Sequence, residues 1–269
     1  MLRFWKMNGA GNDFVVVDNR SLTLELPRER IAHLCHRQRG IGADGLLAVE
    51  PPQGDGQYRM RYYNADGGEA EMCGNGARCF ARFTDLLAGG NLETVQFETE
   101  AGMIGAHLVG TQVRLSLSEP HSLQTGLTLA VGEEALAVDF INTGVPHAVV
   151  FVDDLENTDV LRLGAALRYH PHFSPKGTNA NFVKVLKPGH IAIRTYERGV
   201  EDETLACGTG MAACALIHHL HTGCESPVKV DVKGGDTLEV GFEPAGHHQY
   251  HSVTLTGPAE ITFSGETSL

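Results

Sequence analysis

Cys73-Gly74-Asn75-Gly76 and Cys207-Gly208-Thr209-Gly210 stand 134 residues apart in a chain of 269, one Cys-Gly-x-Gly in each half. A long, mostly apolar stretch without proline follows each. Laying the chain on itself at that offset puts Asn8 on Asn142, Val15-Val16 on Val149-Val150, Arg28 on Arg162, Ala32 on Ala166, Val49 on Val183, Tyr62 on Tyr196 and Ala81 on Ala215. Scattered coincidence among common residues would not keep one offset over such a span. A repeat this long predicts two similar domains, since solenoid repeats are only about 20–50 residues.

Between the motifs the pattern is that of an α+β fold. Strands are expected over 14–17, 45–49, 58–63, 95–99, 105–109 and 113–117, where apolar residues alternate or run together between turn signals. A helix is expected over 27–38, with Ile31, Leu34 and Cys35 on one face, and another from Cys73 to about Leu87, stopped by Gly89-Gly90. Ser118-Glu119-Pro120-His121-Ser122 reads as the linker. The second half repeats the order, with strands over 148–152, 180–186, 191–196, 228–232, 237–242, 253–255 and 259–263 and helices over 160–169 and 207–221. The helix after Cys207 is apolar nearly all round, so it must be buried on most sides. A sheet wrapped around a central helix would bury it.

Composition narrows the function. Net charge is -12, with no Lys/Arg run, which argues against nucleic acid or an anionic membrane as a main partner. No window reaches the ~18 consecutive apolar residues of a membrane span. The N-terminus lacks the apolar core of a signal peptide, so a cytoplasmic location with reduced cysteines is expected. The six cysteines contain no C-x-x-C pair. Cys35, Cys79 and Cys214 read as small core residues, and Cys224 as a loop residue without a role. His218, His219 and His221 cluster at a helix end, where the dipole favours them without a metal. His247, His248 and His251 cluster in a late turn. No metal is expected.

The two Cys positions carry the chemistry. A thiol at a helix start sits beside unpaired backbone N–H groups and the positive end of the dipole. Both favour a thiolate near neutral pH, below the ordinary thiol value of about 8.5. The glycines after each Cys leave those amides open to a substrate carboxylate. Two such starts could hold one carboxylate with a sulfur on each side of the adjacent carbon. One sulfur would remove the α-proton while the other delivers a proton to the opposite face. That describes a cofactor-independent racemase or epimerase.

At this point the chain resembles the diaminopimelate epimerase family. The resemblance rests on Met7-Asn8-Gly9-Ala10-Gly11-Asn12-Asp13-Phe14, on Tyr63-Asn64-Ala65-Asp66-Gly67-Gly68-Glu69-Ala70-Glu71-Met72-Cys73-Gly74-Asn75-Gly76-Ala77-Arg78-Cys79, on Gly177-Thr178-Asn179-Ala180-Asn181-Phe182-Val183, and on Tyr196-Glu197-Arg198-Gly199 through Cys207-Gly208-Thr209-Gly210. It implies two pseudo-symmetric domains, each of mostly antiparallel strands around a central helix. These would be residues 1–117, joined by the C-terminal strand 257–269, and residues 118–256, with the active site in the cleft between them. It also implies interconversion of LL- and meso-diaminopimelate in lysine and cell-wall precursor synthesis, a homodimer and no cofactor.

Carried over by residue, the resemblance makes Cys73 and Cys207 the exchanging base and acid, with His147 and Glu197 near the thiols to tune them. Asn12, Asn64, Asn179 and Arg198 would bind the non-reacting end of the substrate, Arg198 taking the distal carboxylate. Gly74, Asn75, Gly208 and Thr209 would supply helix-start donors to the reacting carboxylate. Three departures stand out. Gly45 replaces the glutamine of the pattern Gly-x-Asp-Gln, and Val145 replaces the asparagine of Gly-Asn-Pro-His. Glu201-Asp202-Glu203 lengthens the loop before Cys207 by one residue. The rival readings are a sibling racemase for histidine, proline or hydroxyproline, the isomerase branch of the fold that lacks the cysteine pair, and a non-enzymatic thiol switch in which Cys73 and Cys207 form a disulfide.

Overall fold

In chain order the elements are β1 (Leu2–Gly9), β2 (Asn12–Asp18), α1 (Arg28–Cys35), β3 (Gly45–Glu50), β4 (Tyr58–Asn64), β5 (Glu69–Ala70), α2 (Gly74–Leu87), β6 (Thr94–Thr99), β7 (Gly102–Val109) and β8 (Gln112–Ser116). There follow β9 (His121–Val131), β10 (Glu134–Asn142), β11 (Pro146–Phe151), α3 (Val160–Arg168), β12 (Asn179–Lys187), β13 (His190–Glu197), β14 (Asp202–Thr204), α4 (Gly208–Thr222), β15 (Val228–Val232), β16 (Thr237–Ala245), β17 (Gln249–Pro258) and β18 (Glu260–Thr267). The structure is a computed structural model and describes residues 1–132, 134–246 and 248–268. His247, counted in the late histidine cluster, and Leu269, the end of segment 257–269, lie outside the described residues. Among the described residues no helix is long and apolar enough to cross a membrane.

Two units result, Met1–Leu115 with Gly257–Leu269, and Ser116–Thr256. In the first, β1 pairs antiparallel with β2 and β18, β2 runs parallel to β3, β3 antiparallel to β4, and β4 parallel to β6. β6, β7 and β8 then form an antiparallel meander. The second unit has the same order. β10 pairs antiparallel with β9 and β11, β11 runs parallel to β12, β12 antiparallel to β13, and β13 parallel to β15, followed by the antiparallel run β15, β16 and β17. The C-terminal strand β18 therefore takes beside β1 the place that β9 takes beside β10.

Each sheet is covered on both faces. In the first unit Phe14 and Val16 of β2, with Leu47 and Val49 of β3, pack on α2, while Val15 and Val17, with Leu46 and Ala48, pack on α1. This accounts for the unbroken apolar runs of β2 and β3, because a strand buried on both faces has no reason to alternate. In the second unit Ala148 and Val150 of β11 and Phe182 of β12 face α3. α2 and α4 are the enclosed helices, buried from Asn75 to Asp85 except at Arg82 in one case and from Gly210 to His218 in the other. α2 ends before Gly89 and Gly90, at φ 92° and 79°. α4 ends at Gly223, whose φ of 66° is the left-handed conformation of a glycine C-cap.

Pairing registers correct the single offset. β3 and β12 keep 134 residues: the space where Gly76 would carry a Cβ faces Leu47, and the same space at Gly210 faces Asn181. Leu47, however, pairs with Val16 and Tyr62, and Asn181 with Val149 and Thr195. The counterparts in β2/β11 and β4/β13 are thus one residue nearer in sequence, and Phe14 matches His147. Because a one-residue slip turns every side chain to the other face, the matches Val15-Val16 with Val149-Val150 and Tyr62 with Tyr196 are not structural counterparts.

The linker expectation is also corrected. His121 and Ser122 already belong to β9, and β1, β9 and β10 are strands that the sequence pattern did not reveal. The first helix stops at Cys35, short of Gln38: His36 is extended, and Gly40 turns back to donate to the His36 carbonyl at 2.8 Å.

Phe80 lies wholly inside the α2 core, whereas Leu86 on the same helix is 44% exposed. Phe80→Ala should cost about 3–5 kcal/mol of unfolding free energy and Leu86→Ala under about 1 kcal/mol, measured by urea denaturation.

Candidate active site

Cys73 and Cys207 are the N-cap residues of α2 and α4, each in extended backbone just ahead of a helix that is buried along most of its length. Both helices leave their first N–H groups without intrahelical acceptors. A Cβ added at Gly74 would meet nothing within 4 Å, so the amides beside Cys73 are open to a small anion. The two caps differ in what the sulfur does. Gly76 N–H donates to Cys73 Sγ at 3.5 Å, whereas Cys207 makes no capping bond and its Sγ lies 3.7 Å from Thr209 Oγ1.

Around Cys73 the polar side chains form one connected line. The buried Arg78 donates from Nη2 to Asn75 Oδ1 at 2.7 Å and from Nε to the Pro258 carbonyl at 3.2 Å. Asn75 donates to Asn12 Oδ1 at 2.7 Å, and Asn12 donates to Asp44 Oδ2 at 2.9 Å. Arg37 joins Asp44 and Asp13, and Lys6 joins Asp13. Burial works against the Asp13 carboxylate, but hydrogen bonds from Arg37 and Lys6 prevail and hold it at about 2. Asn12 and Asn75 therefore stand together at the start of α2. Asn64 stands apart from that line: it is exposed at the end of β4 and accepts from the Tyr62 hydroxyl at 3.0 Å. Gly45 has a steric reason. A Cβ there would lie 2.5 Å from the Tyr63 carbonyl oxygen and 2.8 Å from the Tyr62 ring, which leaves no room for a glutamine.

Around Cys207 the neighbours come from β11, β12 and β13. His147 is wholly buried and its Nε2 lies 2.9 Å from Thr209 Oγ1. Asn181 lies 3.2 Å from His147 Nδ1 through its Nδ2. Desolvation, with a smaller push from the Arg198 guanidinium, lowers His147 to about 3, so it is a neutral imidazole at working pH. Asn179 spans two strand ends, donating to the Pro146 carbonyl at 2.9 Å and accepting from Arg198 N–H at 2.8 Å. Glu197, the last residue of β13, shares the face of Thr195, whose hydroxyl reaches Asn181. Burial pushes the Glu197 carboxyl above its ordinary value, only partly offset by the Thr204 hydroxyl.

Three further cysteines are held as thiols by burial. Burial raises Cys35 to about 11, Cys79 to about 12 and Cys214 well above the ordinary thiol value. The clustered histidines face different ways. His218 accepts from Gly189 N–H, His219 bonds the Cys224 carbonyl, and His221 pairs with Asp139. Among the described residues no three His, Cys, Asp or Glu side chains converge as metal ligands.

A protein-family model for diaminopimelate epimerase matches residues 4–118 and 140–262. The chain belongs to the diaminopimelate epimerase family. Family members include the diaminopimelate epimerases of Aquifex aeolicus (strain VF5), 42% identical over 99% of this chain and 98% of that protein, and of Chlorobaculum tepidum, 41% identical over 98% and 100%. Among solved structures, a phenazine biosynthesis protein of the PhzF family from Bacillus anthracis has a TM-score of 0.72 at 15% identity, covering 100% and 99% of the two chains. A hydroxyproline epimerase from Agrobacterium vitis has a TM-score of 0.68 at 16% identity, covering 98% and 91%. These two share the fold of the diaminopimelate epimerase family. Asn181 and Thr195 were missed as candidates. The usable signal was an asparagine in Asn179-Ala180-Asn181-Phe182-Val183 falling on Leu47 at the repeat offset.

Gly210 has no room for a side chain, since a Cβ would stand 2.5 Å from Asn181 Oδ1 and 3.3 Å from Cys207 Sγ. Gly210→Ala should therefore lose about 1–3 kcal/mol, while Gly74→Ala should leave the melting temperature unchanged or slightly raised, compared by calorimetry.

His147 supplies a pH signature. An unfolded chain protonates this group near 6.5 and the native chain only near 3. Between those values the unfolded state binds more protons, so stability falls as pH falls through the window, by on the order of 1 kcal/mol per unit. His147→Gln should flatten that dependence in urea midpoints measured from pH 7 to pH 4.

Proposed function

We propose that this chain is a diaminopimelate epimerase, an isomerase that interconverts LL- and meso-2,6-diaminopimelate without a cofactor. Its place would be lysine and peptidoglycan precursor synthesis in the cytoplasm, as a homodimer. The observation that carries the reading is that both cysteines of the family pattern cap the enclosed helices of repeat-related units, in a chain about 40% identical to diaminopimelate epimerases along its length.

The chemistry follows from the caps. The α-carboxylate would take the N–H groups at the starts of α2 and α4, from Gly74, Asn75, Gly208 and Thr209, and the helix dipoles would stabilise the charge that develops as the α-proton leaves. One sulfur, as thiolate, takes the α-hydrogen as a proton. The electron pair delocalises into the carboxylate, and the other thiol returns a proton to the opposite face. The two sulfurs then hold exchanged protonation states, so the reverse reaction uses the same pair. His147 and Glu197 would tune the sulfurs. Asn12, Asn64, Asn179 and Arg198 would hold the far end, with the Arg198 guanidinium forking the distal carboxylate. A neutral or basic side chain would leave Arg198 without its acceptor, and that separates this substrate from proline, hydroxyproline or histidine.

Reduced protein in deuterated water should exchange the α-hydrogen of diaminopimelate. Cys73→Ala and Cys207→Ala should each abolish epimerisation, Cys73→Ala also losing its capping contact at a folding cost of about 1 kcal/mol. Exchange of proline or histidine instead would reassign the substrate. Absence of exchange with any amino acid would favour the thiol switch, and normal turnover in either variant would end the two-base scheme.

A further inference from the structure

Asn181 is a buried amide in a place where the same fold manages without one. Its counterpart in the first unit is Leu47, and the counterparts of its neighbours His147 and Thr195 are Phe14 and Tyr62. Burying an amide among apolar residues costs free energy unless every polar atom is used. Here every atom has a partner. Asn181 Nδ2 lies 2.9 Å from the Ala148 carbonyl oxygen, and Oδ1 lies 3.0 Å from Thr195 Oγ1.

Those partners fix the proton positions. A backbone carbonyl only accepts, so the Asn181 atom facing Ala148 is the NH₂ group. The second hydrogen of that group points to His147 Nδ1, 3.2 Å away. Nδ1 must then be the bare nitrogen, and the single proton of the neutral imidazole sits on Nε2. Nε2–H donates to Thr209 Oγ1 at 2.9 Å. Having accepted there, the Thr209 hydroxyl is left to donate to Cys207 Sγ at 3.7 Å. The donors run in one direction, from Asn181 through His147 and Thr209 to the sulfur.

We propose that Asn181, oriented by Thr195 and Ala148, is a positioning residue that locks His147 in the Nε2–H tautomer and thereby aims the Thr209 hydroxyl proton at Cys207, favouring its thiolate. The inference rests on the reading that Cys207 reacts through its sulfur. Behind Cys73 the matching positions are Phe14, Leu47 and Tyr62, whose hydroxyl turns to Asn64, so the device serves one thiol of the two. Other groups face the line. The Arg198 guanidinium opposes protonation of His147, Glu197 shares the face of Thr195, and Cys214 on α4 lies near Cys207 with its thiol held protonated by burial. None of them offers His147 Nδ1 a proton acceptor that would reverse the tautomer.

Two measurements on the full chain test this without using epimerase activity. The ¹⁵N shifts of His147 should report a bare Nδ1 and a protonated Nε2 from pH 5 to pH 9. In a Cys73→Ala background, the pH midpoint for alkylation of Cys207 by iodoacetamide, located by mass spectrometry, should rise by about one unit in Asn181→Leu, a roughly tenfold weaker thiol acid. Thr209→Val should raise it similarly, and adding Asn181→Leu to Thr209→Val should raise it no further, since both act on one line. Thr209→Ser should keep the wild-type midpoint. Should Asn181→Leu fail to fold, Thr195→Val, which removes only the hydroxyl that orients the amide, should show a mixed His147 tautomer. A proton on His147 Nδ1 in the wild type, or an unchanged midpoint in Asn181→Leu, would overturn the proposal. A protein with the expected tautomer and midpoints but no α-hydrogen exchange would instead overturn the proposed function.

Discussion

A helix walled in by a sheet can meet a ligand only at its ends, and that constraint organises both units. α4 is too apolar to be stable on a surface and α2 buries its broad apolar face, so the strands curl round both and α1 and α3 cover the sheets from outside. Along such a helix every backbone group is satisfied except in the first and last turns. The last turns run out into Gly89-Gly90 and Gly223, where the chain reverses. The first turns keep N–H groups that no carbonyl takes, with an open glycine at Gly74 and a cysteine at each cap. A buried helix thus becomes an anion-binding point that carries a thiol.

The same burial sets the electrostatics around each cap. Residues on the inner face of β11, β12 and β13 are removed from water by α4, so a histidine there stays neutral and a carboxyl there resists ionisation. Low local dielectric strengthens each hydrogen bond that is made and penalises each that is not. That is why Asn179, Asn181, Thr143 and Thr195, all nearly without exposed surface, are each tied to a named acceptor or donor. At the other cap the ion pairs of Lys6, Arg37, Asp13 and Asp44 lie nearer the surface and anchor the turn between β1 and β2. Asn12 reaches the helix start from that anchored turn, so its position depends on charges farther out.

Much of this was legible in the residues. The Cys-Gly-x-Gly pair marked both helix starts, and α2, α3 and α4 ended close to their turn signals. β2 and β3 showed as apolar runs. What was lost was lost for physical reasons. β1 puts Leu2 and Phe4 on one face and Trp5 and Met7 on the other, so both faces carry apolar residues and Arg3 and Lys6 interrupt them, leaving neither a clean alternation nor a clean run in the sequence. β10 turns Leu136, Val138 and Phe140 toward the α3 core, but Ala135, Ala137 and Ile141 fall between them and blur the alternation, and β9 carries Gly126 at φ 68° in mid-strand. The line from Arg78 through Asn75 to Asn12 joins residues three and 63 positions apart, and no local pattern announces it.

The repeat itself proved a subtler guide than its offset. Counting 134 residues forward sends Asp13 to His147, a pair that shares nothing, and sends Phe14 to Ala148. The pairing of β2 with β3 and of β11 with β12 shows instead that Phe14 and His147 occupy one position, on the face toward the enclosed helix. One residue has been lost between the repeats around these strands, and pleat geometry turns that loss into a change of face for any residue matched by count. Seen by face, the units agree in architecture and differ in chemistry: Phe14, Leu47 and Tyr62 in one, and His147, Asn181 and Thr195 in the other. The fold is satisfied in the first unit by two apolar residues and a tyrosine whose hydroxyl turns to Asn64, so the architecture alone does not call for the polar set. Its orientation toward Thr209 and Cys207 does.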